Sequence, residues 1–175
     1  MAELVQSPVR VRAPATSANL GPGYDSFGLS LAMYDEVEAA VVGSGLDVAI
    51  EGEGAAELST DEAHLVVRAM RAAFEALDAD PPGLRLRCVN ALPHARGLGS
   101  SSAAIVTGIR LAEALTVGAR LNDDAALGLA ARLEGHPDNV AACLLGGLTI
   151  AWETPDGPTA ARFDVDADVV PVAFI

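Results

Sequence analysis

The segment Pro93-His94-Ala95-Arg96-Gly97-Leu98-Gly99-Ser100-Ser101-Ser102-Ala103 has the residue types of an anion cradle. Gly97 and Gly99 allow backbone angles closed to other residues and let a ligand approach the main chain. Free N–H groups there, added to the positive end of a helix starting near Ser100, attract phosphate without any lysine. The three serines add hydroxyls, one of which is suited to Mg²⁺. Arg96 lies inside the loop, and all eleven basic residues of the chain are arginine. A bare glycine-serine loop is also what an ordinary strand-to-helix turn with a serine cap looks like, so its meaning depends on what surrounds it.

The surrounding pattern supplies a strand before the loop and a helix after it. Leu84 to Asn90 alternates as a strand, and Ala103, Ala104, Ile105, Ile109, Ala112 and Leu115 recur at helical spacing. Upstream, Val9, Val11 and Ala13 predict a short strand stopped by Pro14. Met33 to Val42 and Leu46 to Ile50 predict an antiparallel pair turned by Gly43 to Gly45. Ser59 and Glu62 have the spacing of a capping box ahead of a helix carrying Leu65, Val66, Ala69, Ala73 and Leu77. Asp123 to Leu133 predicts another helix, and the stretch Glu134 to Ala142 leads into a shorter one with Pro137 permitted in its first turn. Leu148 to Trp152 and Thr159 to Val165 predict a hairpin. Val169 to Ile175 reads as a buried strand. Hairpins and crossovers together give an α+β class, a mixed sheet packed with helices.

Composition narrows the function. The chain has 175 residues, 51% hydrophobic but 4% aromatic, enough for one core built from Ala, Val and Leu. A formal net charge of −13 argues against nucleic acid or anionic lipid as partner. Cys88 and Cys143 are far apart with no metal-ligand spacing and read as buried packing residues. No signal peptide or membrane span is evident, so a cytoplasmic location is expected. His64 and His94 are expected to face solvent.

Three blocks in order resemble the GHMP small-molecule kinases. They are Pro14 to Leu31 (PATSANLGPGYDSFGLSL), the loop at Pro93 to Ala103, and Glu134 to Ala141 (EGHPDNVA). The first and third look like those of the homoserine kinase branch. The resemblance implies the N-terminal fold of that superfamily, shared with a ribosomal protein domain. It implies ATP held by residues 93–103 and Mg²⁺ held by Ser101 and Glu134, with Ser100 as the other serine to weigh. Asn19, Asp25, His136 and Asp138 would then bind the acceptor, and Asp138 and Asn139 would orient the transfer, Asp138 being the better proton acceptor. The implied reaction is ATP-dependent phosphorylation of the L-homoserine hydroxyl to O-phospho-L-homoserine, on the route to threonine. Other GHMP acceptors (mevalonate, a sugar or shikimate) and an inactive nucleotide-binding fragment are the alternatives, and a homodimer is one assembly open to it. On the same resemblance residues 1–165 form the ATP-binding domain and 166–175 begin a second domain.

Overall fold

The computed structural model describes residues 2–172. In chain order the elements are β1 (Val9–Ala18), β2 (Phe27–Val42), β3 (Leu46–Gly52), α1 (Leu65–Ala76), β4 (Gly83–Asn90), α2 (Ser100–Leu115), α3 (Asp123–Glu134), α4 (Asp138–Leu145), β5 (Leu148–Thr154) and β6 (Gly157–Phe163). The strands form one mixed sheet of the α+β class, in the order β3-β4-β2-β5-β6, with β1 on the other edge of β2. Among the described residues no helix is long and apolar enough to cross a membrane.

β2 is the organising strand because both its edges are used. β1 runs antiparallel along nearly all of one edge. The other edge is divided, with Phe27 to Leu29 bonded to β5 and Glu36 to Val42 bonded to β4. The four helices pack on the apolar face, where Ala13, Ala15, Val37, Ala39, Leu84, Leu86 and Cys88 are buried. The opposite face carries ion pairs Arg10–Glu36 at 3.2 Å, Arg85–Asp47 at 3.3 Å and Arg87–Glu51 at 2.8 Å. Such exposed pairs are screened by solvent and add little stability, and their main effect is to match neighbouring strands.

β3 is not the antiparallel partner of β2 that the short Gly43–Gly45 turn implies. β4 inserts between them, antiparallel to β2 and parallel to β3 after the α1 crossover. The insertion places Arg87 between Glu38 of β2, opposite it in register, and Glu51 of β3, and sets Arg85 beside Asp47 of β3. Nor does Pro14 end β1. The register shifts between Pro14 and Ala15, so that Pro14 faces Tyr34 while Ala15 faces Leu31. The bulge accommodates the missing N–H and lets the strand continue to Ala18.

α2 is the spine of the helical layer, with Ile105, Ile109, Leu111 and Leu115 fully buried. Burying each such side chain stabilises by roughly 1.5–3 kcal/mol. α1 crosses it at Gly108, where a Cβ would lie 2.5 Å from the Val66 carbonyl oxygen. The predicted capping box does not form. α1 starts at Leu65 with His64 as N-cap, Ser59 donates to Asp61, and Glu62 pairs with Arg71 at 2.9 Å. At the far end, Val169 to Val172 are exposed and in no strand, contrary to the buried strand expected there, and residues 173–175 lie outside the described residues.

Candidate active site

The glycine loop is pinned at both ends. At its start Asp35 of β2 accepts hydrogen bonds from the backbone N–H groups of Ala91 at 2.7 Å and Leu92 at 2.9 Å. Burial pushes the Asp35 carboxyl above its ordinary range, and those two bonds pull it back. Leu92 and Leu98 are buried anchors on either side of the exposed segment Ala95 to Gly97. At the far end the Leu98 carbonyl accepts the N–H of Thr16 at 3.0 Å, so the loop is stitched to the free edge of β1.

The chain turns by left-handed residues, Ala95, Gly97 and Gly99, at φ 56°, 70° and 64°. Gly99 has a further constraint. A Cβ there would collide with the Thr16 hydroxyl and lie 3.2 Å from Asn139 Oδ1. Among the described residues no side chain caps α2, and no acid occupies its first turn. A 16-residue helix therefore presents its positive end bare to the loop.

Across this terminus stands the end of α3. Glu134 is its last residue, followed by Gly135 at φ 102°. Glu134 Oε1 accepts from Ser101 Oγ at 2.7 Å and from Ser102 Oγ at 2.9 Å. Ser100, the other serine weighed for the metal, makes no such bond among the described residues. A carboxylate at a helix C-terminus opposes the dipole, so local helix chemistry does not account for it.

α4 adds the third wall. His136 Nδ1 donates to Asp138 Oδ1 at 2.6 Å, and the same oxygen accepts the Asn139 N–H at 2.8 Å. Asp138 is 1% exposed and its Oδ2 has no partner among the described residues. Asn139 Oδ1 accepts the Thr16 hydroxyl at 2.9 Å. Gly28 lets α4 lie directly on β2, since a Cβ there would lie 2.9 Å from that of Ala142.

These elements enclose a cleft of about 360 Å³ lined by Asn19, Gly97 to Ser101, Glu134, His136 and Asn139, with Ala18 and Ala95 at its edge. Asp138 lies beneath this surface, in contact with His136. Ser102 and Ala103 are buried in the first turn of α2. Asp25 is not brought into the cleft. Its backbone N–H is held by Asn19 Oδ1 at 2.8 Å, and the residue is exposed on the β1–β2 loop. Pro93 and Arg96 also stay off the cleft lining.

His94 is half-buried and His64 is 6% exposed, and both line a second cavity rather than face solvent. This cavity, of about 260 Å³, lies between β2, the approach to α1, and α2, and also includes Asp35, Leu58, Val66, Ala104 and Thr107 in its wall. It meets the first cleft at Ser100 and Ser101, which line both. Burial pushes the His64 imidazole below its ordinary value.

Sequence reasoning missed Thr16, Asp35, His64 and Thr107. Asp35 had a usable signal, because it shares the inward parity of Val37 and Ala39 on β2. An acid at such a position needs partners, and here they are the loop's own N–H groups.

Comparison with known proteins agrees with this fold. The family described as GHMP kinases N terminal domain matches residues 64–147. A homoserine kinase of Streptomyces coelicolor is 55% identical over 169 residues, covering 95% of this chain and 55% of that protein. The crystal structure of homoserine kinase from Cytophaga hutchinsonii is similar with TM-score 0.77 and 27% identity, over 92% of this chain and 53% of that one. The Methanococcus jannaschii mevalonate kinase shares the fold at TM-score 0.68 and 12% identity, over 91% of this chain and 56% of that one. The chain thus spans about half the length of the curated relatives it matches. On these matches the chain belongs to the GHMP kinases as an N-terminal domain, and the curated relatives it matches are homoserine kinases.

Proposed function

We propose that this domain binds ATP and takes part in phosphorylating the hydroxyl of L-homoserine, giving O-phospho-L-homoserine. The observation that carries the reading is the uncapped N-terminus of α2, held open by Gly99 over Thr16 and faced by the Ser101–Glu134 pair. The triphosphate lies along residues 97–101, where backbone N–H groups and the helix dipole supply positive potential. The base enters the adjoining cavity through the shared wall at Ser100 and Ser101. The acceptor approaches from the side of Asn19, His136 and Asn139, the relatives' names supplying homoserine as its identity.

The oxygens of Ser101, Ser102 and Glu134 fit Mg²⁺, a hard cation that prefers oxygen ligands and keeps phosphate and water in its shell. The described residues hold no group of three or more His, Cys, Asp or Glu, so one carboxylate and hydroxyls are what this chain offers. When bound, the ion would neutralise phosphate charge. Phosphoryl transfer through a loose transition state depends on positioning more than on a strong base. Asp138 Oδ2, buried beneath the cleft wall and unpaired among the described residues, is the candidate acceptor for the homoserine hydroxyl proton or ammonium, and His136 fixes the other oxygen. Asn139, braced by Thr16, keeps this cluster in register with Gly99.

ADP release should depend on homoserine and on Mg²⁺ in the protein containing this domain, with mevalonate as the control acceptor. ADP release with mevalonate and none with homoserine would overturn the acceptor assignment.

A further inference from the structure

Thr16 of β1 touches both the glycine loop and the α4 cluster. Its N–H donates to the Leu98 carbonyl at 3.0 Å, its hydroxyl occupies the space a Cβ on Gly99 would need, and that hydroxyl donates to Asn139 Oδ1 at 2.9 Å. The residue is fully buried. A buried hydroxyl needs an acceptor for its hydrogen, and Asn139 Oδ1 is the one it has among the described residues. With the amide turned over, its nitrogen would face the hydroxyl and the Thr16 hydrogen would be left unpaired, which is costly in the interior. The hydroxyl therefore decides which way the amide points. The backbone of Asn139 is fixed separately, by its N–H donating to Asp138 Oδ1 at 2.8 Å. With the amide oxygen held inward, Nδ2 is left on the other branch. It makes no hydrogen bond among the described residues, yet it is not one of their buried unpaired atoms, which are His64 Nδ1, Thr107 Oγ1 and Asp138 Oδ2. Asn139 lines the cleft of about 360 Å³, so this nitrogen is the donor it offers there.

We infer that Thr16 is a positioning residue for the acceptor: its hydroxyl fixes Asn139 with the amide nitrogen toward the cleft, where it donates to an oxygen of the hydroxy amino acid. This rests on the reading that the acceptor approaches from the side of Asn19, His136 and Asn139. Adjacent residues of α4 then offer opposite polarity, Asp138 a carboxylate oxygen and Asn139 a donor, which suits a ligand carrying both ammonium and oxygen groups. Thr16 acts through Asn139 and touches neither substrate. Gly99 has a second reason to lack a side chain, since it leaves the Thr16 hydroxyl the room to make this bond.

Steady-state ADP release by the protein containing this domain, with homoserine and ATP varied in turn, tests this. Thr16→Ala should lower kcat/KM for homoserine about tenfold or more, because a misdirected amide forfeits orientation. KM for ATP should stay within about twofold, since the backbone bond to Leu98 is untouched. Thr16→Val, which fills the space but cannot donate, should lose homoserine efficiency to a similar extent, so that the loss follows the hydroxyl and not the packing. Thr16→Ser, which restores the donor, should recover efficiency to within about threefold of the unaltered protein. In an Asn139→Ala background, Thr16→Ala should cost nothing further, because the amide it orients is gone. Unchanged homoserine efficiency in Thr16→Ala, no recovery with Thr16→Ser, equal losses for both substrates, or additive losses in the double variant would each overturn the inference. If the unaltered protein released no ADP with homoserine, the reading of the acceptor side would fall and the inference with it, whereas normal turnover indifferent to Thr16 sinks the inference alone.

Discussion

Ser101 Oγ donates to Glu134 Oε1 at 2.7 Å, joining the first turn of α2 to the last residue of α3 across 33 positions of sequence. Neither residue needs the other for its own helix. Replacing Glu134 by Gln keeps the volume and removes a charge from the negative end of α3, so the fold should stand unchanged by circular dichroism. Mg²⁺-dependent turnover in the protein containing this domain should fall by about 100-fold or more, by analogy with the loss of one preorganised electrostatic group. Steady-state rates within a few-fold of the parent would remove Glu134 from the metal assignment.

Gly99→Val should damage both binding and stability. Left-handed backbone costs a residue with a side chain about 1–2 kcal/mol, and overpacking against Thr16 adds roughly 1–3 kcal/mol. Urea unfolding should show a loss in that combined range, and ATP affinity should vanish in calorimetry. Retained affinity would mean the loop is only a turn.

His64 gives the domain an acid-side stability slope. Its folded pKa lies below the ordinary 6.5 because burial disfavours the charged form. The unfolded chain therefore takes up a proton that the folded chain refuses, and stability rises with pH through that window. Stability from this source is complete above about pH 6.5 and declines as pH falls toward the folded value. Asp35, raised by burial, acts in the opposite sense, its folded form being less stable once pH exceeds the ordinary 3.8. His64→Gln should flatten the dependence of the urea midpoint below about pH 6.5. An unaltered slope would place the titration elsewhere.

The two thiols should be inert in the folded chain. Burial pushes Cys88 up to about 11 and Cys143 up to about 12. At pH 8 both stay protonated, and a thiol without thiolate character does not attack disulfide reagents. Ellman's reagent should label neither residue in native buffer and both in denaturant. Prompt native labelling of Cys143 would show that α4 opens from the Pro14 carbonyl it faces at 3.7 Å.

The parts legible in the sequence are those set by local periodicity. β4, the glycine loop and α2 follow from an alternating strand, two glycines and a helical repeat, and Glu134 to Asn139 follow from a compact block. Strand neighbours are a different matter, since the pairing of β3 with β4 depends on where the α1 crossover returns. A short glycine turn after β2 carries no information about a strand more than 30 residues later. Pro14 misled because its penalty is absorbed by a bulge that only the partner strand reveals. His64 looked like a surface residue because the cavity it lines is made by α2 and β2, remote in sequence.

The divided edge of β2 separates two responsibilities. Its Phe27 to Leu29 end, with β5 and α4, bears Asn19 nearby and the His136–Asp138 cluster. Its Glu36 to Val42 end, with β4, leads into the loop and the second cavity, and Asp35 stands at that border. Random substitution that alters acceptor preference should therefore accumulate on the β5 side while nucleotide binding is inherited intact. A strand that serves two neighbours by halves lets one half drift without renegotiating the other.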